Sequence, residues 1–181
     1  WKAVVGDPET CKAMKAKALA KAQQEADAAM AKNWTATGGV LTGAADAGVI
    51  GSAKNYENFE LILEWKTEAE AGLGVRSIPQ IALGGKNSGA LTGNRLHDNT
   101  SPKAAANSPQ EWNTMQVKVV SDRVTVLLNG ITTAENVILE NACNREIPAY
   151  AQGQLLLIAG KAPVSVREMY VRELPATPRF E

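Results

Sequence analysis

The chain has 181 residues, of which 45% are hydrophobic, and its 19 basic residues balance its 19 acidic ones. This size and composition predict a globular chain that buries a sizeable core, most simply as one domain. The zero net charge and the lack of a basic, aromatic cluster argue against a nucleic-acid partner. No apolar run approaches the ~20 residues that a membrane-spanning helix needs, so we expect no membrane span.

Residues 1–33 are predicted to form a helical segment. Asp7, Pro8 and Glu9 are typical of a helix start, with a capping residue, a proline at the first helical position and an acid in the first turn. From there to about Lys32 the residues are strong helix formers, in one helix or two. The apolar stripe is narrow, so we expect the segment to pack on the outside of a larger body. Binding of a cell-envelope partner is the alternative.

The chain begins at Trp1 rather than at a methionine, which suggests that an upstream segment, such as a signal peptide, was removed. Cys11 and Cys143 lie too far apart in sequence to form a CxxC metal or redox motif. A long-range disulfide and two small buried thiols are both compatible with them.

After Asn33 the composition changes to Gly, Thr and Val, which predicts short strands. The first clear strand, FELILEWK, alternates, so one face should be core and the other polar. The core face holds Phe59, Leu61, Leu63 and Trp65, and the polar face holds Glu60, Ile62, Glu64 and Lys66. The next run, LGVRSIPQIAL, brings Arg76 and Gln80 into an otherwise apolar strand.

The polar stretch 85–110 is predicted to be a large loop, and it contains His97, the only histidine. With Asp98 beside it, His97 could serve as an acid/base group, since imidazole titrates near neutrality. A loop histidine is more often a surface group that stabilises a turn, and both interpretations stay open.

A hairpin is predicted in TMQVKVVSDRVTVLLNG, with turns at Ser121-Asp122 and Asn129-Gly130. Residues 131–148 are interpreted as a connection, and GQLLLIAG and VSVREMYVREL as the last two strands. About ten strands without strand–helix alternation predict a two-sheet antiparallel β-sandwich or jelly roll. We therefore expect a single domain, with the helical segment 1–33 packed on a jelly roll of residues 34–181.

Several motifs, in order and over nearly the whole chain, resemble the 3-keto-disaccharide hydrolase domain family of secreted bacterial proteins. They are NW, GGVL, FELILEWK, AGLGVRS followed by PQ, EWNTMQVKV, RVTVLLNG and VREMYVREL. The resemblance implies a concanavalin-like jelly roll, a periplasmic or secreted location, and cleavage of a glycosidic bond in a glucoside-like carbohydrate on the concave sheet.

The chain departs from the family pattern at several expected contact positions. Where the family reads AGIYLRGTPQVQIWD, this chain keeps Arg76 and Gln80 but has Gly74, Ala82 and Gly-Gly at 84–85. Sugar sites need flat apolar surfaces and fixed hydrogen-bonding groups, and glycine and alanine supply neither.

Two further family patterns have also lost expected contact residues in this chain. LQAHG appears here as LIAGK, with Ile158 and Gly160 at the glutamine and histidine positions, and ENYWDR appears as ENACNR, which keeps Arg145. With one histidine and no clustered acids, we expect neither a metal nor another cofactor.

Glycosidic cleavage needs an acid and a base or nucleophile, commonly carboxyl groups roughly 5–10 Å apart. Glu60 and Glu64 would lie about 13 Å apart along one strand, so Glu64 would have to act with Glu111 or His97. These three are the candidate catalytic residues. The candidate substrate-binding residues are Arg76, Gln80, Trp112 and Arg145.

Each candidate also has a structural interpretation, such as an Arg76–Glu64 ion pair or a core role for Trp112. Two functions stay open. One is hydrolysis of a glucoside-like sugar, and the alternative is a catalytically impaired carbohydrate-binding or accessory paralogue in the cell envelope.

Overall fold

The structure is a computed structural model that describes residues 1–95 and 106–176, the side chains of residues 79 and 80 excepted. This part of the chain contains two helices and twelve strands. The strands form two antiparallel sheets. The helices are α1 (Pro8–Ala13) and α2 (Ala16–Asn33). The strands are β1 (Lys2–Ala3), β2 (Trp34–Thr37), β3 (Val40–Gly43), β4 (Val49–Gly51), β5 (Phe59–Thr67), β6 (Ala71–Val75), β7 (Ile78–Leu83), β8 (Asn113–Val120), β9 (Arg123–Leu128), β10 (Ile131–Ile138), β11 (Leu156–Ile158) and β12 (Val164–Glu173).

The two sheets enclose one hydrophobic core. One has five strands in the order β1-β4-β11-β6-β7, and the other has seven in the order β10-β9-β8-β5-β12-β3-β2. Phe59, Leu61, Leu63 and Trp65 of β5 are at most 1% exposed and pack against side chains such as Leu73 of β6 in the opposite sheet. The predicted alternation in β5 and the predicted two-sheet sandwich are confirmed.

The predicted hairpin is present as β8 and β9, but the interpretation of residues 131–148 as a connection is wrong at its start. β10 continues the sheet directly after the Asn129-Gly130 turn and pairs with β9. Its register shifts twice, between Thr132 and Ala134 and between Ala134 and Val137. Such bulges break the two-residue period, which is why the sequence gives no clear strand signal there.

The N-terminal segment contains a short strand as well as helices. Lys2 and Ala3 form β1, which pairs with β4 and extends the five-stranded sheet. Asp7 caps α1 as predicted, since its carboxylate accepts hydrogen bonds from the amides of Glu9 and Thr10 at 3.0 and 3.1 Å. The helical stretch divides in two because Met14 is extended. Neither helix in the described residues is long and apolar enough to cross a membrane.

Candidate functional site

The departures from the family pattern cluster on the outer face of the five-stranded sheet. In β11, Leu157 faces the core, so its neighbours Leu156 and Ile158 face outward. They pair with Gly74 and Gly72 of the adjacent strand β6. The outer face here is therefore made of small and apolar residues.

These glycine positions are filled by neighbouring atoms. A Cβ added at Gly74 would lie 2.7 Å from the Cβ of Leu156, and one added at Gly160 would overlap the carbonyl oxygen of Glu70. An aromatic ring at residue 74 or an imidazole at residue 160, as in the family pattern, cannot be accommodated without moving the chain. At these two positions, neighbouring atoms therefore occupy the space that the side chains of the family pattern would need.

A cleft of about 640 Å³ lies beside this surface, and we call it the N-terminal cleft. Its floor includes Val49 of β4 and Leu156 of β11. Residues 2–11 contribute to its lining from the N-terminal segment, and residues 143–154 from the loop before β11. The cleft therefore combines an apolar floor with lining from the N-terminal segment and from the loop before β11.

Hydrogen-bonding side chains line the cleft. Lys2, Asn55, Gln152 and Gln154 all contribute to it. The amide nitrogen of Gln154 donates to the Ser52 carbonyl at 2.6 Å, which fixes that side chain. A hydroxylated ligand would meet both donors and acceptors here.

Among the described residues that line this cleft, Asp7 is the only carboxylate. Besides the two helix amides, it accepts a hydrogen bond from the Thr10 hydroxyl at 2.5 Å. That hydroxyl, with the helix amides, lowers the pKa of Asp7 below its usual value. The carboxylate is therefore ionised at neutral pH and is a poor proton donor.

Tyr150 supplies an aromatic ring to the cleft. Burial raises the pKa of its hydroxyl, so that the group stays protonated at neutral pH. Asn141 lies near enough to offset part of that rise, but no hydrogen bond of normal geometry joins it to the buried hydroxyl. Tyr150 is suited to contact a sugar ring rather than to exchange protons.

Both cysteines line the same cleft and are free thiols. Cys11 is partly exposed and Cys143 is exposed, so the expectation of two buried thiols is wrong. Partial burial of the Cys143 thiol raises its pKa, which makes it a weak nucleophile at neutral pH.

Glu64 lies on the other sheet, in an ion-pair cluster with Trp112. Its carboxylate accepts a hydrogen bond from Arg167 Nε at 2.6 Å. The Arg167 guanidinium in turn lies 4.0 Å from the centroid of the Trp112 ring, and Lys66 Nζ lies 5.0 Å from it. The suggested Arg76–Glu64 pair is wrong, because Arg167 on the adjacent strand β12 is the partner of Glu64.

The other two proposed catalytic residues are Glu111 and His97, of which the structure describes only Glu111. Glu111 is exposed, and its carboxylate accepts a hydrogen bond from the Ser108 amide at 3.2 Å. His97 lies outside the described residues, as does the side chain of Gln80. The roles assigned to these three residues stay predictions.

Arg76 occupies a turn, although the sequence placed it within a strand. Arg76 and Ser77 both have positive φ and form the two-residue turn between β6 and β7. The Arg76 side chain is only 3% exposed, and it donates two hydrogen bonds to the Glu57 carbonyl at 2.9 and 2.6 Å and one to the Tyr150 carbonyl at 3.4 Å. Its guanidinium therefore ties two loops to the sheet.

Arg145 has partners within the protein as well. It lies 3.5 Å from Glu140 and donates a hydrogen bond to the Gly93 carbonyl. The structure thus brings Glu64 and Trp112 together but leaves Arg76 and Arg145 in separate places. The described residues hold no group of three or more His, Cys, Asp or Glu side chains that could bind a metal.

A family model for the 3-keto-alpha-glucoside-1,2-lyase-like domain matches residues 16–172. The chain belongs to this family. The match begins after α1, so residues 2–11, which line the N-terminal cleft, lie outside it. A search of curated proteins gives no match.

Two solved structures illustrate the shared fold. A protein from Parabacteroides distasonis ATCC 8503, provisionally described as a glycosyl hydrolase, is 22% identical with a TM-score of 0.62, and the match covers 79% of this chain and 91% of that one. The carbohydrate-binding module CBM66 from Bacillus subtilis is 12% identical with a TM-score of 0.57, and the match covers 78% and 91%. At these identities, the likeness establishes the fold alone.

Proposed function

We propose that this member of the family binds a glucoside-like carbohydrate in the N-terminal cleft and does not cleave it. The observation that carries the proposal is that the described lining is compatible with a sugar and holds one carboxylate, Asp7, which already caps a helix. The cleft lies on the outer side of the sheet that bears the family's motif positions. A carbohydrate-binding module of the same fold fits this proposal.

Bond cleavage makes a chemical demand that this cleft meets poorly. Whether a glycosidic bond breaks by hydrolysis or by the elimination that the family's description names, some group must take up or release a proton at the sugar. The hydrogen bonds that lower the pKa of Asp7 make its carboxylate a weak base, and the burial that raises the pKa of Tyr150 makes its hydroxyl a weak acid. Glu64, the strongest catalytic candidate from the sequence, lies on the opposite sheet with its charge paired to Arg167.

Carbohydrate binding remains feasible without that machinery. Tyr150 offers a ring for the apolar face of a sugar, and Gln152 and Asn55 offer amide donors and acceptors for its hydroxyls. A periplasmic or secreted location is part of the proposal, because such a protein would meet sugars from outside the cell.

Replacing Gln152 by alanine is expected to weaken sugar binding about fivefold, the value of roughly one hydrogen bond. Gln152 is exposed, so its removal should leave the fold intact. Calorimetric titration with methyl glucosides, trehalose and maltose measures the effect. The matched control is Gln110→Ala, an exposed glutamine that does not line the N-terminal cleft. Equal losses in both variants, or no binding of any of these sugars to the unaltered protein, would contradict the proposal.

A further inference from the structure

The outer face of the seven-stranded sheet carries an ordered strip of side chains along β5. Ile62 lies between Glu60 and Glu64 on this face. Each carboxylate is fixed, Glu64 by Arg167 at 2.6 Å and Glu60 by an ion pair with Arg172. An apolar centre is thus flanked by two ion pairs, whose carboxylates are separated by about 13 Å along the strand.

Tyr170 completes the apolar centre from the neighbouring strand. It is paired with Ile62 across β12 and β5. Tyr170 is 63% exposed and Ile62 is 45% exposed, so two large side chains lie open at the middle of a sheet. We call Ile62, Tyr170 and the two ion pairs the outer strip.

A β-bulge in β12 directs Tyr170 to this face. The register with β5 shifts between Arg167 and Tyr170, and Glu168 within the shift has a φ of +47°. Arg167 faces outward, so regular alternation would turn Tyr170 toward the core. The extra residue reverses this, and Met169 packs against the core while Tyr170 faces solvent. β-Bulges that redirect a side chain in this way are functional features rather than defects of a sheet. Residues other than glycine that have a left-handed backbone conformation occur preferentially at functional sites.

Trp112 stabilises one end of the strip. Its ring lies against the Arg167 guanidinium at 4.0 Å, which holds the arginine in position beside Glu64. Trp112 is half-buried and acts as a positioning residue. The fixed pair leaves hydrogen-bonding atoms in defined places, which is what recognition of sugar hydroxyls requires.

We propose that the outer strip binds an extended, uncharged polysaccharide, independently of the N-terminal cleft on the other sheet. Tyr170 and Ile62 would contact the apolar faces of sugar rings, and the ion pairs would bind hydroxyl groups on either side. Glu60 pairs with Lys118 as well as with Arg172, and the Tyr170 hydroxyl donates to the Glu168 carboxylate. Acidic and basic side chains are therefore mixed along the strip, which favours an uncharged ligand. The strip is longer than one sugar ring, so occupancy of its full length requires a chain of sugars.

A protein partner fits this face less well. The cores of protein interfaces are depleted of charged residues and need a broad buried area. On the outer strip the apolar centre consists of Ile62 and Tyr170 alone, and charged side chains border it at both ends along the strands. A hydrated ligand keeps these charges solvated while contacting the ring.

Affinity that rises with chain length tests the proposal. Cello- and malto-oligosaccharides of increasing length are titrated into the full chain, and cellulose and starch are used in pull-down assays. We expect the longest oligosaccharide of one series to bind about tenfold more tightly than its disaccharide. Tyr170→Ala should remove that increase, whereas Tyr170→Phe should retain most of it. The matched control is Ile131→Ala, which removes an exposed apolar side chain from β10.

Failure of this proposal is distinguishable from failure of the cleft proposal. Gln152→Ala should weaken binding of short sugars and leave the length dependence intact, and Tyr170→Ala should do the reverse. An unaltered length dependence in Tyr170→Ala, or none in the unaltered protein, would overturn the assignment of the strip. So would sedimentation showing that the protein self-associates through Tyr170, because the face would then be a protein interface.

Discussion

Replacing Gly160 by alanine is expected to lower the free energy of unfolding by about 3 kcal/mol or more. A Cβ at this position would overlap the carbonyl oxygen of Glu70, and a backbone atom cannot rotate away as a side chain can. The strand beginning at Ala71 would have to shift. Urea unfolding followed by circular dichroism measures the change.

Gly6 provides the control for this experiment. It also lies outside the helices and strands, and an added Cβ would meet nothing closer than Thr10 at 3.4 Å. Gly6→Ala should therefore change stability by less than about 1 kcal/mol. If Gly160→Ala were equally mild, the space at residue 160 would be open, and a family-type histidine could be restored there.

Replacing Arg76 by methionine is expected to cost about 3 kcal/mol of stability. The change would leave the Glu57 carbonyl without two donors and the Tyr150 carbonyl without one, in a partly buried place. Hydrogen bonds to charged groups contribute roughly 1.5–3 kcal/mol each, and the carbonyls left behind would lack full solvation. Denaturant unfolding of the variant measures the loss.

Arg123→Met is the matched control, because this arginine is exposed and its ion pair with Asp122 lies at the surface. A change within about 0.5 kcal/mol is expected there. The same variants address the sequence-based role of Arg76 in substrate binding. If Arg76→Met weakened sugar binding while leaving stability unchanged, Arg76 would be a ligand contact and the structural role would be wrong.

The parts of the fold that the sequence predicts are those with regular alternation. In β5 the four core residues repeat every second position, and this pattern alone identifies the buried face. The family motifs likewise follow the order of the strands. Regular local patterns of this kind are visible in the sequence because each residue packs either on the core face or on the outer face of its strand.

The sequence fails where the backbone departs from regular geometry. Arg76 looks like a strand residue, but it sits in a turn that lacks the usual Asn-Gly or Asp-Gly signature. Tyr170 alternates as a core residue until the bulge at Glu168 is known. The turn at Arg76 and the bulge at Glu168 both depend on positive φ values. Residue types other than glycine rarely indicate such values in a sequence.

Contacts between distant segments are also hidden from the sequence. Gly74 accommodates Leu156, and the N-terminal cleft is lined both by residues 2–11 and by the loop before β11. Tyr150 and Gln152 have no motif around them that marks a binding site. Lys2 pairs with Gly51, and this pairing brings the N-terminal segment to the sheet. Knowledge of that pairing would have drawn attention to Tyr150 and Gln152.

Binding without turnover is the central claim, and one experiment tests it directly. The protein is incubated with methyl glucosides, disaccharides and their 3-keto forms, while proton NMR records both ligand binding and product formation. We expect line broadening of at least one sugar and no product beyond that seen with a Glu64→Gln, Asp7→Asn double variant. Product that forms with the unaltered protein and is absent with that variant would contradict the claim and would assign the chain as an enzyme.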